Sequence, residues 1–93
     1  MMEMFVDDGF LRFDGEVVEW FTESGRNDRY HVRYLAELKL YEGRKGTTLM
    51  DLKYGKGAGS GFRGFIVPAE EIDRAHEFVQ AVYAAMQQAG NIR

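Results

Sequence analysis

From Met2 to Val67 the chain is a series of short stretches in which apolar and polar side chains alternate, each cut off by glycine or a polar turn. Beyond the single proline, Pro68, the apolar period changes from two to that of a helix. This change of period is the strongest constraint on the fold. Stretches of period two expose one face and bury the other as strands, and none of them is long enough to stand alone. Most of the eleven glycines fall between the apolar segments, as connections in an antiparallel meander require.

The spacing predicts strands over 2–6, 10–13, 16–22, 29–34, 38–42, 47–54 and 62–67. Asp8-Gly9 and Asp14-Gly15 are read as tight hairpin turns, because glycine accepts a positive φ without steric cost. The cleanest alternation is Arg29-Tyr30-His31-Val32-Arg33-Tyr34, with Tyr30, Val32 and Tyr34 on one face and Arg29, His31 and Arg33 on the other. Leu35-Ala36-Glu37 is read as a one-turn break. In the next long strand Thr48, Met50, Leu52 and Tyr54 alternate with Leu49, Asp51 and Lys53.

Proline cannot donate to a sheet ladder, but its fixed φ suits the first turn of a helix. Glu70, Glu71 and Asp73 follow where the positive end of a helix dipole favours anions. Ile72, Ala75, Val79, Val82, Tyr83 and Met86 form an apolar stripe, and Gly90-Asn91 is a natural stop. The expected architecture is α+β, mainly β: one domain over 1–93, with strands within 2–67 and a helix over about 69–89. Its seven strands form an antiparallel bent sheet or partly open barrel, and the C-terminal helix caps it.

The composition bears on how such a fold is held. The 45% hydrophobic content, with seven Phe, five Tyr and one Trp, suffices for one core and not for two. With no cysteine, disulfide staples, thiolate zinc sites and a cysteine nucleophile are excluded. No apolar run reaches membrane-span length, and Met1-Met2-Glu3-Met4 has no basic leader pattern, so a soluble, cytoplasmic protein is expected.

The net charge of −3 conceals a polarity. Residues 1–25 carry Arg12 as sole cation against seven anions, whereas residues 26–63 carry nine cations against four anions. Residues 64–93 hold two cations and four anions. Acidic and basic strands can neutralise each other by pairing across one sheet, or the polarity can serve self-association or an anionic partner.

The opening Asp8-Gly9-Phe10-Leu11-Arg12-Phe13-Asp14-Gly15-Glu16-Val17-Val18 resembles the D-G-x-L-x-F-D-G-x-x-V start of small bacterial pleckstrin-homology-like (PH-like) domains. Val32 to Leu38 is similar to that family's strand-to-bend segment, and Phe62 to Val67 with the helix after it to its closing strand and helix. The resemblance spans nearly the whole chain and implies a PH-like fold. It also implies a non-enzymatic scaffold that binds proteins, peptides or sometimes lipids, with no cofactor. Fold alone does not choose among these.

Sites of chemistry are sparse. Gly55 to Gly61 is no P-loop: Lys56 stands at its start, no Lys-Ser/Thr closes it, and a strand follows. It also fails the dinucleotide pattern, because after Gly55 and Gly57 the third glycine position is Ser60. His31 and His76 are far apart and lack a ligand partner at metal spacing. Ser24 and Ser60 lie in polar loops without the strand-to-helix elbow of a hydrolase, and Asp7-Asp8 and Glu70-Glu71 are explained by a turn and a helix start. No catalytic constellation emerges, so no enzyme is expected.

Two candidate surfaces stand out. Arg26, Arg29, Arg44, Lys45, Lys53, Lys56 and Arg63 would form a cationic rim for a phosphorylated head group or acidic peptide if their loops converge. The first hairpin, where PH domains that hold inositol phosphates want basic residues, instead carries Asp7, Asp8 and Asp14 with Arg12. The second candidate is a small-residue flank of the helix, Phe78, Ala81 and Ala85 with Ala89, suited to a protein partner or a second copy, or simply part of a wide core stripe. An open sheet edge is a further route to pairing. Nucleic-acid binding is disfavoured by the pI near 5.3 and by core packing of Tyr30 and Tyr34. The expectation is a protein-binding or self-associating module, with an anionic-ligand module as the alternative.

Overall fold

The computed structural model describes residues 1–55 and 61–90. Among them are seven strands: β1 (Met2–Val6), β2 (Gly9–Phe13), β3 (Val17–Thr22), β4 (Asn27–His31), β5 (Leu35–Glu42), β6 (Thr48–Tyr54) and β7 (Gly61–Val67). One helix, α1 (Ile72–Gln88), follows. The strands form two antiparallel meanders, β1-β2-β3-β4 and β5-β6-β7. The fold is thus mainly β with a C-terminal helix, and among the described residues the seven strands divide into two sheets, of four and three strands, where a single bent sheet or partly open barrel was expected.

Local chemistry explains the turns. β1 and β2 pair in register from Met2↔Phe13 to Val6↔Gly9, so Asp7 and Asp8 make the turn and Gly9 lies in the ladder. This corrects the expected Asp8-Gly9 turn. Gly9 is required for a different reason: a Cβ there would collide with the carbonyl of Phe21 on β3. Between β2 and β3 the Asp14 carboxylate accepts the backbone N–H groups of Glu16 and Val17, each at 2.8 Å, while Gly15 takes φ +107°. These bonds hold the Asp14 carboxyl below its ordinary pKa.

The alternation from Arg29 to Tyr34 does not continue as one strand. β4 ends at His31, whose Nδ1 accepts the Arg33 N–H at 3.1 Å, and a 3-10 turn over Val32–Tyr34 starts the second meander. Val32 stays buried, but the turn rotates Tyr34 outward to 60% exposure. The break expected at Leu35 to Glu37 is therefore three residues earlier, and what remains there is a register irregularity between Leu35 and Glu37. A 3-10 turn over Arg44–Gly46 joins β5 to β6, with Lys45 at φ 58°.

The inner faces of both sheets and the helix share one core. Leu11, Val18, Leu38, Met50 and Leu52 are fully enclosed from the sheets, and Ala75, Phe78, Val82 and Met86 from the helix. Phe13 meets Phe78 edge to face at 6.2 Å, and Trp20 meets Phe65 at 5.2 Å. The helix presents Ala75, Phe78, Val82 and Met86 inward, with Ile72, Val79 and Tyr83 half-buried on its flanks. Its α-helical part starts at Ile72, after a 3-10 turn over Ala69–Glu71. Phe78 is fully buried, which removes it as a partner contact: the apolar stripe is centred on Phe78 instead of running beside it.

The sheets meet along β1 and β7. Asp7 donates its N–H to the Ile66 carbonyl at 3.0 Å and accepts the Ile66 N–H on Oδ1 at 3.2 Å.

Candidate interaction surface

Because strand side chains alternate, burying Met4, Val6, Leu11, Phe13, Val18, Trp20 and Tyr30 sends their neighbours to the outer face of the β1–β4 sheet. Two rows result. Glu3 pairs with Arg12, Arg12 with Glu19, and Glu19 with Arg29, so a line of alternating charge crosses all four strands. One step along the strands, Phe5 pairs with Phe10, Phe10 with Phe21, and Phe21 with Asn27.

Both rows are internally ordered. Arg12 Nε donates to Glu3 at 2.8 Å, and Arg29 Nε lies 3.6 Å from Glu19. Phe10 and Phe21 stack with centroids 4.7 Å apart, and Phe5 meets Phe10 edge-on at 6.4 Å. The Arg12 guanidinium lies 5.8 and 5.2 Å from the ring centres of Phe10 and Phe21 and so ties the two rows together. Phe5 remains 63% exposed. Shallow hollows flank the rings, one bordered by Glu3, Arg12 and Arg74, the other by Gly9, Thr22 and Glu23. None of these three phenylalanines was singled out by the sequence as a site.

The cationic rim is divided. Arg26 and Arg63 both approach Asp28 Oδ2, at 3.4 and 3.6 Å, and are compensated by it. Arg63 also donates to the Tyr30 hydroxyl at 3.4 Å and lies 5.5 Å from the Trp20 ring centre. Burial pushes the Tyr30 phenol above its ordinary pKa, and the bond to Tyr30 raises that of Arg63. Arg29 belongs to the charge row, and Lys53 is held 3.3 Å from Glu37. Arg44 and Lys45 stand at the far end of β6 from Lys53, roughly 20 Å away for a seven-residue strand. Lys56 lies outside the described residues.

The helix flank offers less. Ala81 and Ala85 are half-buried and packed against the core. Ala85 borders a shallow cleft with Gly15, Glu16, His31, Val32, Arg33, Gln88 and Ala89. There His31 Nε2 is 3.7 Å from a Glu16 carboxylate oxygen, beyond hydrogen-bond length, and Glu16 is mostly exposed. Among the described residues no group of three or more His, Asp or Glu side chains could hold a metal ion, and no helix is long and apolar enough to cross a membrane.

No family model and no curated protein matches the chain.

Proposed function

We propose that the chain is a PH-like, non-enzymatic binding module, cytoplasmic in its setting, that engages protein through the outer face of its four-stranded sheet. The order of a four-stranded meander, a three-stranded meander and a C-terminal helix supports the PH-like reading. The single observation that carries the functional reading is the Phe5-Phe10-Phe21 row. Three phenylalanines side by side on an outer sheet face contribute nothing to the enclosed core, and rigid aromatic anchors bordered by charge suit a protein interface. The anionic-ligand reading has less support, since Arg26, Arg29, Lys53 and Arg63 each have an acidic neighbour and Arg44-Lys45 stands apart.

Immobilised protein compared with its Phe5→Asp/Phe21→Asp variant tests this reading. Retention of a protein, whether another chain or this one, by the wild type and its loss in the variant is the expected result. Retention unchanged by the substitutions, or binding to vesicles of anionic lipid in place of protein, overturns it.

A further inference from the structure

Resting on that reading, we infer that the occupant of the outer sheet face is a second copy of this chain, packed face to face about a two-fold axis parallel to the strands between β2 and β3. The inference follows from the order of charges. Across β1 to β4 the row reads Glu3, Arg12, Glu19, Arg29. Rotation about this axis reverses the strand order while keeping each row level with itself. Glu3 then faces Arg29 of the second copy, and Arg12 faces Glu19, so all four positions meet opposite charge. In the neighbouring row Phe10 faces Phe21 and Phe5 faces Asn27.

Self-complementarity of one patch is what a two-fold interface requires. An axis at right angles to the strands lacks this property, because it sets each strand against its own counterpart and like charges fall together or charges fall on rings. Packed sheets are rotated by about 30° through their twist. The central Arg12 and Glu19 pairs lie beside the axis and move least. Arg12 is also held by its contacts to Glu3 and the two rings, so little side-chain freedom is lost on docking. Four strands by five residues present about 300 Å² of sheet. That is below the ~800 Å² per partner of a standard interface, so the dimer is weak and concentration-dependent.

Sedimentation equilibrium from micromolar to millimolar protein tests the arrangement. The wild type is expected to dimerise reversibly, more weakly as salt is added. Arg12→Glu alone, or Glu19→Arg alone, sets like charges against each other twice and weakens self-association at least tenfold. An equimolar mixture of these two variants restores dimers, because every swapped charge then meets its opposite. Circular dichroism checks that each variant folds. Should either fail, the double variant Arg12→Glu/Glu19→Arg, which is again self-complementary, must dimerise like the wild type. A wild type monomeric at millimolar concentration, a dimer insensitive to the single swaps, or a mixture that does not recover overturns the inference. Retention of a different protein through Phe5 and Phe21 would leave the binding-module reading standing without it.

Discussion

The Glu71 carboxylate accepts the backbone N–H of Phe5 at 2.6 Å, joining the turn before the helix to the outer edge of the first sheet across 66 residues of sequence. β1 is an edge strand, and its outward N–H would otherwise be an unpaired donor. Glu71 is 7% exposed, the sole buried charged residue among those described, and its other oxygen lies 3.9 Å from Arg74. The bond therefore fixes β1 where the Phe5 ring faces outward on the proposed interface.

Glu71→Ala leaves the Phe5 donor without its partner and should destabilise the fold by about 2 kcal/mol, as loss of a charged, shielded acceptor does. Glu71→Gln keeps an acceptor oxygen and should cost roughly half as much. Trp20, the only tryptophan and a core residue, reports unfolding by fluorescence in denaturant titrations. Equal losses for the two variants would contradict this role.

Asp14 predicts a pH dependence. Its folded pKa lies below the ordinary value because the Glu16 and Val17 amides bind its charged form. Its contribution is whole above the unfolded carboxylate pKa near ~3.9 and is lost as pH falls through the depressed folded value. Asp14→Ala should therefore cost up to about 1 kcal/mol at neutral pH, a modest figure for an exposed turn. The gap between variant and wild type should close in acid. A constant gap from neutrality to pH ~2 would contradict the assignment.

Tyr30 predicts the opposite limb. Burial raises its folded pKa, so the stability it contributes is complete below the unfolded phenol value near ~10 and declines as pH rises through the folded one. Partial burial and the hydrogen bond its hydroxyl donates to Asp51 also raise the Tyr41 phenol, so tyrosinate absorbance should show two groups titrating late, of which Tyr30→Phe removes one and Tyr41→Phe the other. A late-titrating amplitude undiminished by Tyr30→Phe would contradict the assignment.

Lys45 is the non-glycine residue with positive φ among those described, at 58°. Lys45→Gly should stabilise the protein by up to about 1 kcal/mol by relieving that conformation. Thermal unfolding measures it, and a loss of stability would show that the lysine side chain makes a compensating contact.

Strand positions and the helix were legible because period two and the helical period are written in the apolar positions themselves. Where the structure departs from the pattern, turn geometry outweighs the alternation. His31 caps a turn that breaks the Arg29 to Tyr34 alternation, and the Asp7-Asp8 turn places Gly9 in the ladder. The helix stripe missed its centre because Phe78 lies between two sets of apolar positions, and only packing against Phe13 settles which set faces inward. The rim failed to converge because hairpin tips alternate between the ends of a meander, so Arg44 and Lys45 cannot join Lys53. Phe5, Phe10 and Phe21 were hidden for the converse reason. Each stands beside a core residue in an apolar run, and the row exists only once the register of three strands is known.

The most direct test of the central claim, that the outer face of the four-stranded sheet is where the protein associates with itself, is a dilution series followed by ¹H–¹⁵N NMR. Amide shifts are expected to move with concentration at Phe5, Phe10, Arg12, Glu19 and Phe21, while those of α1 and of Arg44 to Gly46 stay fixed. Spectra unchanged up to millimolar protein, or shifts confined to the helix or the β5–β6 turn, would contradict it.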